Sequence, residues 1–77
     1  MSDVIVDQAA GTVTVRCLER LYHKGGGSIA ISRAINEDLV YLPLSEIIIE
    51  FTGQVENEKR ILEVTMPLQL AIDKRLA

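Results

Sequence analysis

Two strand-like apolar runs meet at a proline in residues 40–49, and this corner constrains the fold more than any other feature of the chain. Proline cannot donate a hydrogen bond to a neighbouring strand, so Pro43 must end its strand or lie at a sheet edge. Beyond the corner the residues alternate, with Ile47, Ile49 and Phe51 on one face and Glu46, Glu50 and Thr52 on the other. The chain is therefore expected to bend at Pro43 and to continue as a half-buried strand.

Alternation of apolar and polar residues predicts further strands on both sides of the corner. The apolar sides hold Val13, Val15 and Cys17 in a strand from Thr12, then Ile29, Ile31 and Ile35, and finally Leu62, Val64 and Met66. Turn-forming or polar stretches separate these runs at residues 25–27, 36–38 and 53–58. Such spacing is typical of hairpins joined by short turns.

Residues 16–24 fit two structures. We expect a strand with a bulge near Leu18, because Val13 to Val15 is already extended and the glycines at 25–27 then form a hairpin turn. The alternative is a helix over 16–24, ended by Gly25 and lying against a four-stranded sheet.

The last eleven residues change to helical spacing. Pro67 suits a first helical turn, with Thr65 or Met66 at the cap position, and Lys74 and Arg75 complement the negative end of the helix dipole. The expected buried stripe consists of Leu68, Ala71, Ile72 and Leu76, which leaves Leu70 on nearly the opposite side.

These patterns predict an α+β fold: mostly antiparallel β, about five strands, curled or small-barrel-like, with one C-terminal helix. A chain of 77 residues makes a single domain, 1–77, within which residues 1–10 are expected to form an edge strand or an arm.

Composition limits how such a small domain can be stabilised. The chain has one cysteine, one histidine and three aromatic residues, so neither an internal disulfide nor a Cys/His zinc site is expected, and no cofactor. Stability must then come from packing of Ile, Leu and Val or from oligomerisation. A lone cysteine and the lack of an apolar leader or a long apolar run favour the host-cell cytoplasm.

The corner and the C-terminal segment together resemble small, mostly uncharacterised proteins of bacteriophages and other bacterial mobile elements. Those proteins have a strand ending in Leu-Pro-x-Ser-x-Ile, a further strand pair and a helix of the form Pro-x-x-Leu-Ala-x-x-Lys-x-Leu. The matching residues are Leu42, Pro43, Ser45 and Ile47, then Pro67, Leu70, Ala71, Lys74 and Leu76. The resemblance covers roughly residues 28–76.

The resemblance implies a compact antiparallel β fold with a C-terminal helix and a phage-type accessory role. It transfers no catalytic residue. The chain departs from the pattern at three positions, where Tyr41 and Gln69 stand in place of a frequent tryptophan and Leu44 in place of a frequent basic residue. These departures remove aromatic and cationic groups from any ligand surface that the pattern shares.

Two sets of residues could suggest phosphate binding or catalysis, but structural roles explain them better. In residues 24–28 the lysine precedes the glycines and a strand follows, whereas a phosphate-binding loop needs the lysine after them and a helix. Cys17 and His23 could pair as nucleophile and base, but no third group or oxyanion hole is indicated. We therefore expect no catalytic, cofactor-binding or metal-binding residues and no enzyme activity.

The sequence instead suggests a surface for a partner. The reverse face of the third hairpin and the far side of the helix place apolar residues among acidic ones, and the candidate partner-binding residues are Glu46, Ile48, Glu50, Ile61, Glu63 and Leu70. A solvated acidic face is the plain interpretation. The more specific interpretation is that the carboxylates of this face bind a basic partner at the positions where the partner would otherwise bind phosphates. The surplus apolar positions also fit a homodimer.

Two functional hypotheses follow. The first is a non-enzymatic binding protein of phage or mobile-element type that occludes or recruits a host protein or nucleoprotein, for example as an inhibitor of a bacterial defence complex. The alternative is a small β-barrel that binds single-stranded nucleic acid. It would use cations and tyrosines, namely Arg16, Arg20, Tyr22, Lys24, Arg33 and Tyr41. The net charge of −3 and the scattered cations make nucleic acid the weaker partner.

Overall fold

The structure is a computed structural model that describes residues 4–23 and 25–76, and for Tyr22 and His23 it describes the backbone alone. In chain order the described elements are β1 (Val4–Asp7), β2 (Thr12–His23), β3 (Ser28–Ser32), β4 (Val40–Pro43), a 3-10 turn (Leu44–Glu46), β5 (Ile48–Glu56), β6 (Lys59–Pro67) and α1 (Leu68–Asp73). None of the helices in this part of the chain is long and apolar enough to cross a membrane.

All strand pairs are antiparallel, and the strands follow the order β4-β3-β2-β6-β5. The first strand, β1, pairs with residues 12–15 of β2, whereas β3 pairs with residues 18–23 of the same strand. The sheet is curled but does not close on itself. The predicted α+β fold is confirmed, with six strands where about five were expected.

Strand β2 is long because it serves as the common partner of three other strands. Its register against β3 shifts between Glu19 and Leu21, so Arg20 is an extra residue in a β-bulge. The expected bulged strand is therefore confirmed and the helical alternative is wrong. The bulge lies beyond Leu18, because Leu18 itself is in register with both Ser32 and Ile61.

One face of the sheet carries the hydrophobic core, and we call it the inner face. Its strand residues alternate as predicted, and α1 with the segment after it covers them. The buried set is Val13, Val15, Cys17, Ile29, Ile31, Leu42, Leu62, Val64, Met66, Ala71 and Leu76. The opposite side of the sheet is called the outer face.

The corner at Pro43 bends the chain as expected, since Pro43 is the last residue of β4 and the 3-10 turn follows it. The backbone N–H of Leu44 donates to the Gly27 carbonyl at 2.8 Å, and Leu44 packs against the core. This turn places Glu46 before β5, so the expectation that Glu46 lies on that strand is wrong. The 3-10 turn spans Leu44–Glu46, so Glu46 has no extended backbone.

Two other strand boundaries differ from the expectation. Strand β3 ends at Ser32, and Ile35 lies in the following loop with an exposed side chain, so Ile35 does not belong to the core. Strand β5 runs on to Glu56 through a register shift after Phe51. The tip of that hairpin is only Asn57–Glu58, both at positive φ, as in a type I′ turn.

Helix α1 is shorter than expected and buries a partly different face. It spans six residues, Pro67 occupies the N-cap position, and Leu70 packs against the core while Ile72 is 50% exposed. The predicted stripe is confirmed at Leu68, Ala71 and Leu76, although Leu76 lies beyond the end of the helix. It is wrong at Ile72, and Leu70 lies on the core side in place of the opposite side. The buried face is centred on Ala71 and flanked by Leu68 and Leu70.

Candidate functional site

The outer face of the β5–β6 hairpin brings together four of the six predicted partner-binding residues. Ile48 lies opposite Thr65, and Glu50 lies opposite Glu63. Ile61 is two residues before Glu63 in β6, so it points to the same side. We call Ile48, Glu50, Ile61 and Glu63 the acidic patch.

A row of cross-strand neighbours extends the patch over four strands. Ile48 pairs with Thr65, Thr65 with Thr14, and Thr14 with Ile5 of β1. The two threonine hydroxyls share a hydrogen bond of 2.9 Å between their Oγ1 atoms, and Ile5 and Ile48 are each 64% exposed. Ile5 was not predicted, because its alternation with Val4 and Val6 gives its side of the strand but not its neighbour.

The two carboxylates of the acidic patch form no ion pair with any other described residue. In residues 4–23 and 25–76 the one ion pair joins Arg60 to Glu19, on a different part of the sheet. Arg16 lies opposite Glu63, but its guanidinium donates a hydrogen bond to Gln54 Oε1. Like charges that face each other across two strands destabilise a sheet, so this patch favours a positively charged partner group.

The other two predicted partner-binding residues lie elsewhere. Glu46 is exposed in the 3-10 turn before β5, and Leu70 is half-buried against the core. The structure therefore assigns neither of them to the acidic patch. The 3-10 turn after Pro43 accounts for the position of Glu46, and the short helix accounts for that of Leu70.

Among the described residues of the nucleic-acid alternative, Arg20 is bonded within the protein. Arg20 Nη1 donates to Ser32 Oγ at 3.1 Å and to the Ile35 carbonyl at 2.9 Å, which fastens the loop after β3. Tyr41 lies on the outer face opposite Ala30 and is half exposed. The side chain of Tyr22 and all of Lys24 lie outside the described residues.

Two of those arginines do meet at a cavity on the outer face. Arg16 and Arg33 line a space of about 160 Å³ with Glu56, and Leu18 and Ile61 form its apolar wall. The bulge in β5 supports this arrangement, because Thr52 Oγ1 donates to the Ile61 carbonyl at 2.8 Å and Gln54 holds Arg16.

A second cavity, of about 250 Å³, opens on the inner face and was not predicted. Ile29, Ile49 and Leu62 form its apolar walls, with Phe51 and the Glu19–Arg60 ion pair beside them. The Arg60 guanidinium carbon lies 5.4 Å from the centroid of the Phe51 ring, within the range of a cation–π contact. Both charged groups are thus already satisfied within the protein.

No catalytic constellation is assembled among the described residues. Burial raises the pKa of the Cys17 thiol to about 12, so it is protonated at neutral pH. The side chain of His23, its predicted partner, lies outside the described residues. The same part of the chain contains no group of three or more His, Cys, Asp and Glu side chains that could hold a metal ion.

The sequence matches no protein-family model, and no curated protein or solved structure shows significant similarity to it.

Proposed function

We propose that this chain is a non-enzymatic binding protein of phage or mobile-element type, which occludes or recruits a host protein or nucleoprotein through its acidic patch. Inhibition of a bacterial defence complex is one form of this activity. The observation that carries the proposal is the exposed Ile48 beside two carboxylates, Glu50 and Glu63, that face each other and form no ion pair within the described residues.

Both parts of the patch favour a protein partner. Burying an isoleucine side chain contributes roughly 1.5–3 kcal/mol, which rewards a complementary apolar contact. A lysine or arginine of the partner would relieve the repulsion between Glu50 and Glu63 and would guide the encounter of the two proteins. The resemblance of the Pro43 corner and the C-terminal segment to phage proteins supports the accessory role.

The test is affinity capture from a bacterial lysate with three forms of the protein. The variant Ile48→Ser with Glu50→Gln alters the patch, and we expect it to lose proteins that the unchanged chain retains. Val55→Ser is the matched control, because Val55 is 60% exposed on the same strand but lies opposite Arg60, on the inner side. Circular dichroism verifies that all three forms are folded.

Two results would contradict the proposal. Recovery of the same proteins by all three forms would mean that the patch does not select a partner. Light scattering over a concentration series tests whether the chain forms a dimer. If it does, and if the Ile48→Ser and Glu50→Gln changes dissociate that dimer, the patch serves self-association and not a host partner.

A further inference from the structure

A third cavity, of about 290 Å³, lies between the loop after β3 and the segment after α1. The loop and β4 contribute Arg33, Glu37, Asp38 and Val40, and the C-terminal segment contributes Lys74, Arg75 and Leu76. Residues far apart in the sequence thus bring three cations and two carboxylates to one space. Its volume is close to the lower end of small-molecule sites, roughly 300 Å³.

The five charged groups of this cavity are not paired with one another. The Arg60–Glu19 contact is the one ion pair in the part of the chain that the structure describes, and it lies elsewhere. Oppositely charged side chains around a common cavity normally gain by pairing at short distance. Their separation leaves hydrogen-bond donors and acceptors for a ligand that carries both types of partner.

Arg75, which lines this cavity, has a backbone conformation that favours glycine. Arg75 has a φ of 59°, at the position where a helix most often ends in glycine. The Arg75 N–H donates to the Ile72 carbonyl at 3.0 Å and the Leu76 N–H to the Ala71 carbonyl at 2.7 Å, as in a Schellman motif. A non-glycine residue in this conformation costs about 1–2 kcal/mol.

The carbonyls of Leu70, Ala71 and Ile72 at the end of α1 do not need hydrogen bonds from the side chains of Lys74 and Arg75. Backbone N–H groups of residues 74–76 already bond the carbonyls of Leu70, Ala71 and Ile72. The side chains of Lys74 and Arg75 are therefore not needed to satisfy the last carbonyls of α1. A strained residue that glycine could replace at lower energy is the kind of outlier that points to function.

We propose that this cavity binds a ribonucleotide, with the phosphate held by Arg33, Lys74 and Arg75. Arginine and lysine donate charge-assisted hydrogen bonds to phosphate oxygens. Glu37 and Asp38 accept hydrogen bonds from ribose hydroxyls, as acidic residues do in other nucleotide sites. An acidic peptide fits less well, since its carboxylate side chains offer no hydrogen-bond donor to Glu37 and Asp38, whereas ribose hydroxyls do.

The neighbouring cavity extends the site. Arg33 also lines the space that holds Arg16, so a phosphate at each cavity would share Arg33 between them. Leu18 and Ile61 offer an apolar wall there, against which a base could pack. The ligand is therefore either a free nucleotide or one unit of a single-stranded RNA.

The test uses fluorescence anisotropy of a labelled RNA oligonucleotide at low ionic strength. Arg75→Gly and Arg33→Gln are each expected to weaken binding about tenfold, the equivalent of one charge-assisted hydrogen bond. Each should also lower the log–log salt slope by about 0.7. The control Lys59→Gln removes the same charge from the β5–β6 hairpin, lines neither cavity and should change neither quantity.

Stability distinguishes a binding role for Arg75 from a structural one. Because glycine suits a φ of 59°, Arg75→Gly should raise the free energy of unfolding by about 1 kcal/mol while it weakens binding. The matched change Lys74→Gly, at a φ of −94°, gains no such relief and should lower stability. A more stable variant that binds less cannot have lost binding through unfolding.

Two further ligands identify what is bound. DNA of the same sequence should bind more weakly than RNA, and Glu37→Gln should reduce that difference, because the 2′-hydroxyl then donates to a neutral amide oxygen in place of a carboxylate. If a nucleoside monophosphate displaces the labelled RNA, the ligand is a free nucleotide. If only unlabelled RNA displaces it, the ligand is a single-stranded RNA. Both results support the proposal.

The proposal is overturned if RNA does not bind at high micromolar protein, or if Arg75→Gly binds as well as the unchanged chain. Equal affinity for polyglutamate and RNA would assign the cations to an acidic peptide and would also overturn it. None of these outcomes bears on the acidic patch, whose residues are not changed.

Discussion

The Cys17 thiol lies on the inner face of β2, almost fully buried, and this burial raises its pKa from 9.0 to about 12. The unfolded chain therefore releases the thiol proton near pH 9, whereas the folded chain retains it. Between pH 9 and the pKa of the folded state, the folded chain binds more protons than the unfolded chain. The contribution of this thiol to stability is therefore fully present below pH 9 and is lost as the pH rises. We expect a loss of about 1.4 kcal/mol per pH unit from this thiol alone.

Urea unfolding at pH values from neutral to strongly basic measures this effect. The comparison is with Cys17→Ala, which removes the thiol and retains every other ionisable group. The unchanged chain should lose stability more steeply than Cys17→Ala once the pH exceeds 9.0. Parallel curves would show that the thiol is not protected by the fold.

Individual site residues were only partly predictable, because alternation gives the side of a strand but not the neighbours. It placed Ile48 and Glu50 correctly, and the pairing with β6 then brought Ile61 and Glu63 to them. Arg20 was expected on a nucleic-acid surface but donates to Ser32 and Ile35 instead. That role depends on the position of the bulge in β2, which was expected near Leu18 and lies at Arg20. It also depends on where the loop after β3 returns, which has no local sequence signal.

The β5–β6 hairpin carries a conflict between stability and the proposed binding. Glu50 and Glu63 face each other across the two strands, and neither forms an ion pair within the described residues. Replacing one carboxylate by a neutral amide should therefore stabilise the protein. For Glu50→Gln we expect a gain of about 0.5 kcal/mol at low salt, which decreases as added salt screens the repulsion.

Thermal or urea unfolding at low and high salt measures this gain, with Glu46→Gln as the matched control. Glu46 loses the same charge, but it lies in the 3-10 turn and faces no strand. Its replacement should leave stability almost unchanged. If the two variants gained equally, the effect would come from net charge and not from the Glu50–Glu63 pair.

At the level of elements, the local chemistry of the sequence predicts the strands well and their ends poorly. The alternation of Leu62, Val64 and Met66 marks a strand with one buried face, and the structure confirms it. The end of β5 was misplaced because Gly53 resembles a turn residue, whereas it lies in a register shift at a φ of 86°. A bulge and a turn use the same residues, so composition does not separate them.

The whole molecule has two candidate surfaces that meet at Ile61, which belongs to the acidic patch and also forms part of the apolar wall beside Arg16. The acidic patch lies on β5 and β6, whereas the cavity lined by Arg33, Lys74 and Arg75 lies between the loop after β3 and the segment after α1. A partner that contains both a basic protein surface and RNA would satisfy both. This agrees with a nucleoprotein as the proposed target, and the variants that alter one surface leave the residues of the other unchanged.

One small core must stabilise both surfaces, because the described chain has a single cluster of buried residues. A domain of 77 residues has a total stability of about 4–11 kcal/mol. Ile31 is fully buried in β3, and β3 pairs with both β2 and β4. We expect Ile31→Ala to cost about 2–5 kcal/mol, a large share of that total.

Thermal unfolding measures this cost, and each kcal/mol should lower the midpoint by about 4–8 °C. Ile48→Ala is the matched control, since Ile48 is largely exposed and should have almost no effect. The comparison is repeated at several protein concentrations, because an interface between two copies would make the midpoint depend on concentration. Destabilisation by Ile48→Ala that grows with concentration would contradict an exposed Ile48 and would indicate that a second copy covers it.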